Sequence, residues 1–168
     1  MEGSIGLLGG TFDRLHNGHR ALILGTASEC DHLQIHVASD LMANKKEMNI
    51  QDIETRLNQL EEMIVEESLN ASLHILHDGY GPAVSLDPCS VIGCTEETFP
   101  SCQEINQLRM KNGLSSLRIV IINHVLDEEG EILSSSRIRS GIVDQTGKYW
   151  IKSSEMMVEH TMPEILDD

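Results

Sequence analysis

Aromatic side chains are scarce: two phenylalanines, two tyrosines and one tryptophan make up 3% of the 168 residues. A surface built to stack bases is thereby excluded, and the core must come from aliphatic residues and the 8 methionines. Basic residues are also few, 12 lysines and arginines against 27 aspartates and glutamates, leaving a formal net charge of -15. A field of that sign repels nucleic acid and anionic lipid, so neither is expected as a partner, and any phosphate site has to be a local basic exception. No apolar run is long enough to span a bilayer, and no basic leader precedes a long apolar stretch, so a cytoplasmic protein is expected. The 4 cysteines, Cys30, Cys89, Cys94 and Cys102, lack paired CxxC spacing and are expected to be reduced, packed thiols rather than metal ligands. No internal repeat or low-complexity tract is present.

What remains is the composition of one globular domain, with 40% hydrophobic residues. Ile5 to Leu8 is a short apolar run that stops at Gly9-Gly10 and predicts a buried strand. The stretch Asn17 to Ser28 predicts a helix and His32 to Ala38 a second strand, together a β-α-β unit. Ile50, Ile53, Leu57, Leu60 and Ile64 recur at three- and four-residue spacing, which predicts a helix over Asp52 to Glu67 with glutamates on its outer face. Leu73 to Leu76, Ser90 to Gly93 and Leu117 to Asn123 predict three more strands, with a helix from Ser101 to Lys111 before the last. Strands alternating with helices imply an α/β fold: a doubly wound, mainly parallel sheet of about five strands covered on both faces. Residues 1–146 are expected to form this domain, and residues 147–168 an acidic C-terminal extension.

Two clusters carry phosphate chemistry. Gly9-Gly10-Thr11-Phe12-Asp13-Arg14-Leu15-His16-Asn17-Gly18-His19 follows the first strand and opens the first helix, where main-chain amides and the helix dipole face an anion. The glycines let a phosphate approach the backbone, Thr11 adds a hydroxyl, and His16 and His19 lie about one helical turn apart, so both rings can face one ligand. Leu133-Ser134-Ser135-Ser136-Arg137-Ile138-Arg139 places three hydroxyls at a helix start with arginines just inside it, the local basic exception that the charge balance demands. Each string alone is commoner as a structural turn or a helix cap. Their positions after the first and the last strand bring them to one crevice in a doubly wound sheet.

The first cluster resembles the T/HxGH signature of the nucleotidylyltransferase superfamily, and the second its ISSTxxR signature, with Leu133 and Ser136 replacing Ile and Thr. Asp78-Gly79-Tyr80-Gly81-Pro82, Thr95-Glu96-Glu97-Thr98 and Glu104-Ile105-Asn106-Gln107-Leu108-Arg109 are similar to the archaeal and eukaryotic type of phosphopantetheine adenylyltransferase. The resemblance runs from about Ser4 to Asp144. It implies a Rossmann-like fold and transfer of the adenylyl group of ATP to 4'-phosphopantetheine, with Mg2+, giving dephospho-coenzyme A and pyrophosphate. Motif matching puts Gly9, Gly10, Thr11, Phe12, His16, His19, Ser134, Ser135, Ser136 and Arg139 on the nucleotide. Thr11, Lys45, Tyr80, Asn106 and Arg109 would face the acceptor, and His16, His19 and one of Lys45 and Lys46 would act in catalysis. No serine or cysteine triad is evident, so direct in-line attack by the acceptor phosphate on the α-phosphorus is expected. Sister enzymes acting on flavin mononucleotide, nicotinamide mononucleotide or glycerol phosphate share both signatures, and a nucleotide-binding regulatory domain without turnover is the competing class. The sequence leaves a homo-oligomer open.

Overall fold

A computed structural model describes residues 3–151. Strands β1 (Ile5–Gly10), β2 (His32–Ala38), β3 (Ala71–Leu76), β4 (Val91–Cys94) and β5 (Arg118–Ile121) form one sheet in the order β3-β2-β1-β4-β5, every pairing parallel. The helices are α1 (Asn17–Ala27), α2 (Asp40–Lys46), α3 (Ile53–Glu66), α4 (Phe99–Lys111) and α5 (Ser135–Arg139), with a short 3-10 turn at Gly81–Val84. The five expected strands and three expected helices are all present. The short α2 was not expected: seven residues with lysines at its end are too few to show an apolar period.

Side chains alternate across a strand, and Leu7 and Leu8 accordingly open two separate cores. Leu8 joins Phe12, Ile23, Leu33, Ile35, Val37, Leu60 and Met63 beneath α1 and α3. Leu7 joins Ala83, Ile92, Cys94, Cys102, Ile105 and Leu117 beneath α4 and the 3-10 turn. Helices therefore cover both faces, the doubly wound arrangement expected. Contact between α1 and β4 requires Gly93, because a Cβ there would lie 2.0 Å from Thr26 Oγ1.

The order of the strands reverses between β1 and β4, so the connections leave the sheet in opposite directions there and open a crevice at their C-terminal ends. Both motif clusters emerge at that point. Residues beyond α5 return to the body: the Asn17 amide donates to Gln145 O at 3.0 Å, Val143 bridges Tyr149, and Tyr149 Oη donates to Asp127 Oδ2 at 3.1 Å. Of the acidic extension expected over 147–168, residues 152–168 lie outside the described residues. No helix among the described residues is long and apolar enough to cross a membrane.

Candidate active site

Helix α1 is capped by His16, an extended residue whose imidazole Nδ1 accepts the Gly18 amide at 3.0 Å. One turn on, His19 Nδ1 accepts the His16 amide at 3.4 Å, closing a reciprocal cap made of two histidines. Gly18 has to lack a side chain, since a Cβ would stand 2.8 Å from His16 Cε1. The rings stack with centroids 3.8 Å apart, and His19 also meets Phe12 at 5.4 Å.

Because each Nδ1 accepts a main-chain hydrogen, the neutral rings carry their proton on Nε2 and can donate from it. The surroundings keep them neutral. Burial lowers the His16 pKa to about 4 against the attraction of Asp13, and burial plus the neighbouring His16 lower that of His19 to about 3. His36, buried on β2 and stacked on His74 at 4.9 Å, is lowered to about 4 by burial and by His74.

These shifts predict acid lability. Unfolded imidazoles bind protons near pH 6.5 and the folded ones do not, so the stabilisation is fully present above pH 6.5 and is lost as pH falls toward 4. His16 and His36, only 6% and 7% exposed, should each cost up to about 2 kcal/mol by pH 5, with the half-buried His19 acting in the same direction. Urea unfolding at pH 7.5 and pH 5 measures the loss, and assigned resonances of His16 and His36 titrating near 6.5 in the folded protein would contradict it.

The organising residue of the crevice is Asp13, which the sequence reading quoted without a role. Its carboxyl is 2% exposed. Burial by itself would raise its pKa, but the Gln51 amide at 2.7 Å and the Arg139 and Arg14 guanidiniums, each 2.7 Å from Oδ2, hold it below the usual range. Its main-chain oxygen accepts Ser135 Oγ at 2.7 Å. One residue thus pins the loop after β1 to α5 and presents Arg139, whose other side pairs with Glu47 on the far wall.

A cavity of about 430 Å3 opens between the two motifs, lined by Thr11, Phe12, Asp13, His16, Gly18, His19, Ser134, Ser135, Ser136 and Arg139. Lys46, Glu47, Thr95, Glu97 and residues 123–125 after β5 complete its wall. A second cavity, of about 360 Å3, runs between β1, β4 and α4, lined by Leu7, Leu8, Ala83, Ile92, Cys102 and Ile105, with His36, Tyr80 and Pro82. Thr11 and Lys46 belong to both cavities and mark their junction.

The structure therefore brings together eight of the ten residues expected on the nucleotide. Gly9 and Gly10 instead line the second cavity. Of the two lysines, Lys46 reaches both cavities, whereas Lys45 lines neither. Of the other residues expected to face the acceptor, Tyr80 lines the second cavity, whereas Asn106 and Arg109 line neither. Asn106 exchanges hydrogen bonds with Leu117, at 2.9 Å and 2.7 Å. Arg109 is wholly buried and donates to the carbonyls of Ser115, Ala83 and Leu86 at 2.8, 2.8 and 2.9 Å, a structural task.

The cytidylyltransferase-like family profile matches residues 7–141, a span that contains both motifs. The phosphopantetheine adenylyltransferase of Methanothermobacter thermautotrophicus is 35% identical over 144 residues, covering 86% of this chain and 88% of that one. Its namesake from Methanopyrus kandleri is 36% identical over 142 residues, covering 83% and 90%. Among solved structures, a protein of unknown function from Archaeoglobus fulgidus superposes with a TM-score of 0.62 at 26% identity, covering 71% of this chain and 88% of that one. Pantoate-beta-alanine ligase from Francisella tularensis, at 16% identity and a TM-score of 0.55 over 82% of this chain and 66% of its own, shares the fold. With the HxGH and serine-arginine motifs facing one crevice and this extent of likeness on both sides, the chain belongs to the cytidylyltransferase-like family, among the phosphopantetheine adenylyltransferases.

Proposed function

We propose that the protein transfers the adenylyl group of ATP to the phosphate of 4'-phosphopantetheine, releasing pyrophosphate and forming dephospho-coenzyme A. The observation that carries this reading is the pair of cavities meeting at Thr11 and Lys46. The first offers imidazole Nε2 donors, the hydroxyls of Ser134 and Ser136 and Arg139, a set suited to a triphosphate. The second is largely apolar and suits an elongated acceptor whose charged end stops at the junction.

In the step itself an acceptor phosphate oxygen attacks the α-phosphorus from the second cavity. The bond from the α-phosphorus to the bridging oxygen breaks on the opposite side, and its electron pair leaves with pyrophosphate. No proton need move, so the side chains act by position and charge. Lys46 draws two anions together at the junction. The Nε2 donors of His16 and His19 face oxygens whose charge grows as pyrophosphate departs, and being neutral they need lose no proton of their own.

Magnesium belongs to this reading as a companion of ATP and would supply charge neutralisation on the phosphates. Among the described residues no three His, Cys, Asp or Glu side chains are grouped to hold a metal. Asp13 is already committed to Gln51, Arg14 and Arg139, so the metal's ligands would be chiefly phosphate oxygens and water, with Glu97 within the same cavity. The cytoplasm suits four cysteines that all remain free thiols.

The test is pyrophosphate release from ATP and magnesium with a panel of phosphorylated acceptors. 4'-Phosphopantetheine should give turnover far above flavin mononucleotide, nicotinamide mononucleotide and glycerol phosphate. Preferential turnover of one of the others would replace the acceptor, and no turnover with any would remove adenylyl transfer.

A further inference from the structure

Beside the motif cavity lies a third concavity of about 600 Å3, lined by Arg14, Met48, Asn49, Arg139, Ser136 and Ser140, with Glu47 at its edge. Glu47, Ser136 and Arg139 also line the motif cavity, so the two spaces share a wall at the arginine of the second motif.

Arg14 had no role in the sequence reading. Its backbone is left-handed, φ 46°, and its amide donates to Gln51 Oε1 at 2.7 Å. Nη1 donates to Asp13 Oδ2 at 2.7 Å and to Asn49 O at 2.9 Å, while Nε and Nη2 have no hydrogen-bond partner among the described residues. Arg139 meets the same Oδ2 at 2.7 Å, so two guanidiniums converge on one buried oxygen. The second carboxylate of the group, Glu47, pairs with Arg139 Nη2.

The two carboxylates are not equivalent. Asp13 is enclosed and bonded to a main-chain amide as well as to both arginines, so it stays. The Glu47 side chain is 50% exposed and can turn into water at little cost. With Glu47 in place the four charges cancel, and with Glu47 displaced the group carries one net positive charge and free donors on both arginines.

We infer that Arg14 is a polyphosphate-binding residue that joins Arg139 in receiving pyrophosphate as it leaves, and that Glu47 occupies their place until phosphate displaces it. This rests on the adenylyl-transfer reading for the identity of the anion. When the bond to the α-phosphorus breaks, the electron pair goes to a pyrophosphate oxygen, and a second guanidinium beside Arg139 meets that added charge.

The experiment is calorimetric titration of the full chain with sodium pyrophosphate and, separately, with AMP, which lacks the outer phosphates. Arg14→Gln should weaken pyrophosphate binding about tenfold and leave AMP binding unchanged, as expected for one charge-assisted contact. Arg14→Lys should recover part of the loss. Glu47→Gln should move pyrophosphate affinity the other way, tightening it several-fold, since a competing anion has gone. Unchanged pyrophosphate binding in Arg14→Gln overturns the inference. So does an equal loss for AMP and pyrophosphate together with a lowered melting temperature, which would reduce Arg14 to a prop for Asp13. Arg14-dependent pyrophosphate binding in a protein that turns over no acceptor would uphold this site while removing adenylyl transfer.

Discussion

Replacing His19 by alanine should lower kcat by a factor on the order of 10²–10³ while the Kd for ATP moves little. The expectation follows from where the ring stands and from its protonation. His19 sits in the first turn of α1, stacked on His16 at 3.8 Å, and lines the motif cavity. Its Nδ1 accepts the His16 amide, which leaves Nε2 as the donor, and burial with its pKa near 3 keeps the ring neutral at working pH. A donor aimed at charge that develops in the transition state contributes more to rate than to ground-state binding. The competing role is purely structural, because the same ring closes the helix cap. A cap lost without catalysis would lower the melting temperature and leave the rate per folded molecule intact, so kinetics and a melting curve measured together decide between them. A near-normal kcat in well-folded His19→Ala would refute the catalytic role.

Arg56→Leu should destabilise the fold by about 3–5 kcal/mol, the range for breaking a buried, hydrogen-bonded charge arrangement. Its guanidinium is wholly buried. Nε donates to Gln51 O at 2.9 Å, Nη1 to Thr11 O at 2.8 Å and to Ala38 O at 2.7 Å, and Nη2 pairs with Asp40 Oδ1 at 2.8 Å. One planar fork therefore ties together the chain after β1, the end of β2, the start of α2 and the loop before α3. Removing it strands one buried and two partly buried carbonyls, an unsatisfied buried one costing about 1–3 kcal/mol. Arg56→Lys should rescue little, since an ammonium cannot reach the same spread of acceptors. Because Thr11 stands at the junction of the two cavities, any folded variant should also lose kcat/KM. Urea unfolding checks the first claim, and a loss below about 1 kcal/mol would sink it.

Arg56 and Arg109 show where reading a sequence stops. Both stand on helices among acidic or polar neighbours, where an arginine is ordinarily a solvated charge or, by family likeness, a ligand contact. Only the packed structure reveals that each is enclosed and hydrogen-bonded to loop carbonyls, one in each half of the sheet. Buried carbonyls need donors, but which side chain supplies them depends on loops that are distant in sequence, and no local pattern marks the partner. Glu47 was invisible for the same reason. It lies 92 residues from the arginine it pairs with.

The elements themselves were legible because their signals are local. The alternation of Leu33, Ile35 and Val37 in β2, the apolar stripe of α3 through Leu57, Leu60 and Ile64, and the glycines ending β1 each follow from the geometry of a few consecutive residues. The two motifs were legible in the same way, since glycines, imidazoles, hydroxyls and arginine gathered at a strand end form a local pattern. The sequence by itself thus determined that this is a parallel α/β protein with two polar motifs placed after its first and last strands. The tertiary structure alone decided which lysine stands at the junction of two cavities, which arginines line the motif cavity or its neighbour and which are locked in the interior, and that Asp13 ties the loop after β1 to α5. Those outcomes are set by distances between segments far apart in the chain, which packing fixes and a linear pattern does not carry.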